Sequence, residues 1–144
     1  MNKFFNIDIK KKKFLKDFKI RKYTNKFSNK NLEMKKGNLG LQCLNSGILN
    51  SKHFKNLREY LSKNFKKECK FWINYYPNKG ISKKSIGVRM GKGKGKTYTY
   101  CSYIKKGSIL VELSDSINYY KAKKILKGCM LKLPLDLKFI KKKK

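Results

Sequence analysis

The sequence predicts an α+β domain: two helices packed on mostly antiparallel strands, with a basic arm in front. Three observations lead there. Two segments repeat apolar residues at spacings of three and four, the period of a helix with one buried face. Several short runs of β-formers are separated by Gly, Pro and Asn turn signals instead of crossover helices, which favours antiparallel pairing. The first 36 residues are dominated by charge runs, and 144 residues suit one domain with tails. The expected layout is a basic N-terminal extension over 1–36, a folded domain over 37–140 and a Lys tail over 141–144.

The elements follow in order. Lys10 to Lys13 form a run within the arm, and Phe4, Phe5, Phe14, Phe18 and Phe27 are scattered through it. Such a segment orders only against a partner. Leu39 to Leu44 reads as a short strand. Asn50 or Ser51 caps a helix running to about Lys67, with Phe54, Leu57, Leu61 and Phe65 on its apolar face. The other face carries Lys52, Lys55, Arg58, Lys63 and Lys66. Residues 69–76, CKFWINYY, read as a strand ending in a turn at Pro77, Asn78 and Gly80. Ile86 to Met90 reads as another strand, followed by a Gly-Lys loop over 91–96. Thr97–Ile104 and Ser108–Leu113, joined at Lys105-Lys106-Gly107, read as a hairpin. Asp115 or Ser116 caps a second helix over roughly 117–130, with Tyr119, Ala122, Leu126 and Cys129 on one side. Pro134 breaks the chain before a last strand over Leu135 to Ile140.

Charge narrows the function. Thirty-nine Lys and Arg face eight Asp and Glu, for a formal net charge of +31. Self-repulsion on that scale disfavours a compact free state, so a polyanionic partner is implied. Nucleic acid fits, because each neutralised phosphate also releases condensed counterions. A solvated, disordered basic chain is disfavoured by a hydrophobic fraction of 40% and an aromatic fraction of 13%. Lys outnumbers Arg by 36 to three (Arg21, Arg58 and Arg89), and a single Ala, Ala122, stands against thirteen Asn and twelve Ile. Helix chemistry does not avoid Ala. The skew points to an AT-rich genome: a mitochondrion, a relic plastid or an AT-rich bacterium.

Catalytic and metal readings find little support. Cys43, Cys69, Cys101 and Cys129 are widely spaced, and His53 has no second imidazole, so neither a zinc site nor a disulfide framework is expected. The carboxylates form no pair suited to acid–base work. No apolar run approaches the length of a membrane span. Trp72 and most aromatics, sitting in predicted strands, are expected to pack in the core.

The sharpest local feature is Arg89-Met90-Gly91-Lys92-Gly93-Lys94-Gly95-Lys96-Thr97. Alternate glycines permit positive φ and close backbone approach to a phosphate, and the interleaved lysines add point charges. Gly95-Lys96-Thr97 matches the end of a Walker A motif. The earlier glycine that motif requires would fall at Met90, however, and a β-forming run follows where a helix should open. The plain alternative is a flexible charged hairpin loop.

The stretch 66–95, KKECKFWINYYPNKGISKKSIGVRMGKGKG, resembles the signature region of the large-subunit ribosomal protein sixteen family. Lys66, Lys67, Trp72, Tyr76 and Pro77 match its first motif. Arg89, Met90, Gly91, Gly93, Lys94 and Gly95 match its second without a gap. Gly40-Leu41-Gln42, the helix with Arg58, the strand ILVEL at 109–113 and Lys132-Leu133-Pro134 extend the likeness over roughly 37–140. Departures include Phe71 for an aliphatic residue, Asn74 for a basic one, Gly80 for Pro and His53 for Gln, together with a remodelled arm. The resemblance implies a hammerhead-type α+β fold, no enzymatic activity and no cofactor. It implies large-subunit rRNA, the A-site tRNA and neighbouring ribosomal proteins as partners, and no membrane. The RNA-binding residues it points to are Lys52, Arg58, Lys66, Lys67, Arg89, Gly91, Lys92, Gly93, Lys94, Gly95 and Lys96. Its loop pattern, with Lys92 after the first glycine, favours a mitochondrial large subunit. A free-standing basic nucleic-acid-binding protein is the alternative.

Overall fold

The computed structural model describes residues 27–66, 68–91 and 93–142. Most of the predicted arm, Lys67, Lys92 and the last two lysines therefore lie outside the described residues. Among those described, the order is β1 (Leu39–Cys43), β2 (Gly47–Asn50), α1 (Ser51–Phe65), β3 (Phe71–Ile73), β4 (Lys79–Ser82), β5 (Thr97–Ile104), β6 (Ile109–Leu113), α2 (Tyr119–Met130) and β7 (Leu137–Lys141). The fold is α+β, as expected. The strands form a four-stranded sheet of order β3-β6-β1-β7 and a three-stranded sheet of order β2-β5-β4, and every pairing between them is antiparallel.

Period 3.6 explains α1. Phe54, Leu57, Leu61 and Phe65 are all buried, as their spacing requires. Asn50 is the N-cap, and its backbone N–H donates to Nδ1 of His53 at 3.2 Å. His53 thus occupies the third helical position, where a capping-box side chain reaches back to the cap. That role accounts for the imidazole without any chemistry. α2 starts later than the sequence suggests: its N-cap is Asn118, whose side chain accepts from the Tyr120 N–H at 2.9 Å, and not Asp115 or Ser116. Its buried face is Ala122, Ile125, Leu126 and Cys129, with Tyr119 exposed.

In the larger sheet, the row Ile73–Val111–Leu41–Phe139 faces the helices. The neighbouring row, Trp72–Glu112–Gly40–Ile140, faces the other way. Trp72 is therefore only half-buried and outside the core cluster that its neighbours Phe71 and Ile73 pack against. This corrects the expectation of a core anchor. Residues 27–37 lie against the domain: Ile109 N–H donates to Asn31 O at 2.8 Å, Ser28 N–H to Lys106 O at 2.9 Å, and Met34 is buried near Gly40. Ten residues counted with the arm by composition thus rest on the folded part.

Glu112 explains how that segment is held. It is 1% exposed. Its Oε2 accepts the successive backbone N–H groups of Lys35, Lys36 and Gly37 at 3.1, 2.7 and 3.0 Å, and its Oε1 accepts from Asn74 Nδ2 at 2.6 Å. Burial pushes this carboxyl up, but the three N–H donors and Asn74 outweigh it and hold the group below its ordinary value.

Three further expectations are corrected. β5 and β6 do not form a hairpin, because they belong to different sheets. All five residues of β6 are buried, so it needs a neighbour on each side, and it finds β1 and β3. The chain turns the corner at Gly107 (φ +84°), whose N–H donates to Cys43 O at 2.7 Å. Lys79–Ser82, expected to be a turn and loop, is a strand paired with β5. Ile86–Met90, expected to be a strand, is not one: all five residues are exposed, and no strand among the described residues pairs with them.

Candidate nucleic-acid interface

The β4–β5 hairpin builds the candidate site. Lys79 to Ser82 pair with Cys101 to Thr97, with an irregularity at Ile81/Ser82, and the Lys83 N–H donates to Lys96 O at 3.0 Å, closing the base of the loop. Beyond that point the chain runs out and back over 84–95. The Lys84 ammonium donates to the Gly91 carbonyl, tying the two arms together. Val88 N–H reaches Ser85 O at 3.4 Å across a turn with Gly87 at φ +83°.

The three alternate glycines do different things. Gly91 (φ +97°) and Gly93 (φ +80°) are in left-handed backbone that disfavours a Cβ, yet a Cβ there would meet nothing within 4 Å. Their backbone is open to an external partner. Gly95 is closed in: a Cβ would lie 2.4 Å from the Lys83 carbonyl oxygen. It lets the two strands of the loop cross closely. Ser82, Lys83, Lys84, Gly93, Lys94 and Gly95 line an open cleft of about 340 Å³.

Arg89, Lys94 and Lys96 are exposed on this loop. Exposed Lys83 and half-buried Lys84 join them, although the sequence reading did not single them out. The Lys83 ammonium sits 5.6 Å from the ring centre of Tyr98, itself 70% exposed. Further along the hairpin, the Lys79 ammonium lies 4.7 Å from the Tyr103 ring centre. The expectation that most aromatics pack in the core fails for most of the tyrosines: none is fully buried among the described residues, Tyr60 and Tyr75 pack against the core from its edge, and Phe54 and Phe65 fill it. The signal was the residue type: Tyr, whose hydroxyl needs a polar partner when buried, recurs in β5 where Phe would serve a core.

α1 offers a separate basic face. Lys52, Lys63 and Lys66 are exposed and Arg58 is half-buried, while Lys55 lies 3.9 Å from Glu59 one turn on. Lys66 caps the helix at φ +47°. The structure thus gathers Gly91, Gly93, Lys94, Gly95 and Lys96 with Arg89 on one loop, and leaves Lys52, Arg58 and Lys66 on another element.

The described residues of the loop do not form a P-loop. The loop leads into a strand, so it lacks the helix N-terminus that a P-loop uses to hold phosphates. Burial pushes the Cys43 thiol up to about 11 and that of Cys129 up to about 12, so both stay protonated at neutral pH and make poor nucleophiles or metal ligands. Among the described residues no three His, Cys, Asp or Glu side chains converge on a metal-sized site, and no helix is long and apolar enough to cross a membrane.

Comparison with known proteins decides the family. Its profile, described as ribosomal protein L16p/L10e, matches residues 9–140. The chain belongs to the ribosomal protein L16p/L10e family. The large ribosomal subunit protein uL16 of Wigglesworthia glossinidia brevipalpis is 35% identical over 124 residues, covering 86% of this chain and 90% of the relative. That of Phytoplasma mali (strain AT) is 35% identical over 121 residues, covering 83% and 86%. The uL16c of Cyanidium caldarium is 33% identical over 104 residues, covering 72% and 74%. The L16p/L10e assignment makes the chain a structural, non-enzymatic component of the large ribosomal subunit. The match begins at residue 9, so the family likeness reaches into the basic arm, beyond the 37–140 that the motifs alone suggested.

Proposed function

We propose that this chain binds large-subunit rRNA through the 83–96 loop and the basic face of α1, near the aminoacyl-tRNA site, and helps to position the tRNA there. The observation that carries the reading is the loop itself. Gly91 and Gly93 present open, positive-φ backbone between exposed cations, with Arg89 beside them and Lys83 and Lys84 behind. That combination suits the close approach of a phosphate backbone. Lys67 and Lys92 join these roles by sequence. Peptide-bond chemistry would belong to the RNA.

The mitochondrial placement belongs to the same proposal. It is supported by the Lys, Asn and Ile skew, while the relatives above are bacterial and plastid. Fractionation of organelles from the source cells, with detection of the chain in the large subunit, separates a mitochondrial ribosome from a plastid or bacterial one.

The test of RNA binding is salt. If about 6–10 phosphates are contacted, affinity for a large-subunit rRNA fragment falls by roughly 10³–10⁵ between about 50 and 200 mM salt. A flat response refutes a phosphate-dominated interface. Co-sedimentation with large subunits, followed by crosslinking from residue 89 to A-site tRNA, tests the location. Recovery only as free protein would favour the free-standing nucleic-acid binder.

A further inference from the structure

Three large apolar side chains stand in solvent on the same loop: Ile86 is 98% exposed, Val88 58% and Met90 100%. They alternate with Gly87 and Arg89, the pattern of a strand, but no strand among the described residues pairs with them. They take no part in the core. The cost of leaving such surface in water is recovered only when a partner covers it.

The surroundings indicate the partner's chemistry. Residues 83–96 contain six cations (Lys83, Lys84, Arg89, Lys92, Lys94 and Lys96) and no carboxylate. A partner must therefore offer negative charge and flat apolar surface within a few ångströms of each other. RNA does so wherever its bases are unpaired: phosphates lie outside and unstacked base faces beside them. A continuous A-form helix does not, because its bases are stacked away and its deep groove is too narrow for side chains. An unbranched thioether such as Met90 adapts to irregular gaps and makes favourable sulfur–aromatic contacts.

We propose that Ile86 and Met90 form an apolar wedge that packs against unpaired nucleobases, while the flanking cations hold the adjoining phosphates. This rests on the reading of the loop as an RNA contact and adds a preference to it. The loop selects bulged or single-stranded RNA over duplex.

The test uses the full chain and two RNA probes of equal length, a perfect duplex and a hairpin carrying an unpaired bulge with 2-aminopurine. The variants are the double substitution Ile86→Ser with Met90→Gln, and Lys94→Ala as a phosphate control. Both wedge positions are solvent-exposed, and thermal melting checks that the fold is kept. Wild-type protein should bind the bulged RNA more tightly and change the 2-aminopurine fluorescence. The double variant should lose roughly tenfold or more on the bulged RNA, the scale expected for losing one or two buried apolar side chains. Its duplex affinity and salt slope should stay unchanged, whereas Lys94→Ala should lower the slope on both RNAs. If the double variant keeps the bulge preference, or loses affinity equally on both RNAs, the wedge is wrong and a steep salt slope leaves the RNA reading standing. The wedge is equally wrong if the double variant binds both RNAs like wild type but no longer enters the large subunit, since a protein surface would then be the occupant. A flat salt response in wild type overturns the wedge together with the RNA reading.

Discussion

Glu112 offers the strongest test of how the arm is attached. Replacing it with Ala removes a buried acceptor from three consecutive N–H groups and from Asn74. A hydrogen bond to a charged group contributes about 1.5–3 kcal/mol, and a stranded buried donor costs about 1–3 kcal/mol. Lys35 and Lys36 are exposed residues, so water can replace part of the loss; Gly37 is buried, so its N–H is stranded. The desolvation cost of the carboxylate also disappears. Together these give roughly 3–5 kcal/mol for Glu112→Ala. Glu112→Gln keeps one oxygen for the backbone donors but loses the charge and turns an amide donor toward Asn74 Nδ2, for about 2–4 kcal/mol. The pH dependence has a definite sign. The native carboxyl is held below its unfolded value of about 4.3, so its stabilisation is complete above that pH and is lost as pH falls through the native value. Urea unfolding of wild type and Glu112→Gln should therefore show a gap near neutrality that closes in acid. Hydrogen exchange of the 35–37 amides should quicken in both variants at neutral pH. Superimposable stability–pH curves, or unchanged exchange at 35–37, would refute this account of the attachment.

Gly95→Ala should disturb the root of the loop, because its Cβ meets the Lys83 carbonyl at 2.4 Å, whereas Gly93→Val should cost about 1–3 kcal/mol of local strain without a clash; exchange of the Lys83 amide should rise in the first variant only. Both glycine changes should impair subunit function more than Lys92→Ala, read by translation of reconstituted subunits. Trp72→Ala should destabilise less than Phe65→Ala, for which about 3–5 kcal/mol is expected, since Phe65 is fully buried and Trp72 is not; equal melting-temperature losses would contradict this. Arg89→Lys should weaken tRNA-dependent activity although charge is kept, because a guanidinium grips in a fork that an ammonium cannot copy. Normal translation by such subunits would show that the loop needs only charge there.

Periodicity carried the sequence reading where an element buries one face against one partner. α1 is the clearest case, four buried residues at helical spacing, and β1 and β7 end within two residues of expectation. It failed where the partner decides. β2 and β4 have four residues each, and each contains a glycine; both are strands because β5, eight residues long, offers an edge on each side. Ile86–Met90 shows the converse: an alternating β-forming run that pairs with no strand among the described residues. The pairing of β6 with β3 and β1 was hidden for the same reason, since five buried residues in a row state that a strand is central without naming its neighbours.

The candidate site was legible as composition but not as geometry. Alternate Gly and Lys correctly marked a loop where backbone is exposed, and the same alternation made the three glycines look equivalent. They differ because the loop has two registers of contact. Gly95 faces inward across the hairpin, at the level where Lys83 and Lys96 still pair, and Gly91 and Gly93 lie beyond that pair, where the Lys84 ammonium reaches across to the Gly91 carbonyl. That tie also explains why Lys83 and Lys84 escaped notice. In the sequence they sit seven and more residues before the glycines, on the far side of an apparent strand; in the fold that segment is the outward arm of the same loop. A basic loop of this form has its charges on both arms and its open backbone on one. An approaching phosphate would therefore meet Gly91 and Gly93 from the solvent side with lysines flanking it, and substitutions on the outward arm at Lys83 or Lys84 should weaken RNA binding as much as Lys94→Ala does. Salt titrations of the three single variants compare them directly, and an effect confined to Lys94 would mean that the outward arm only supports the loop.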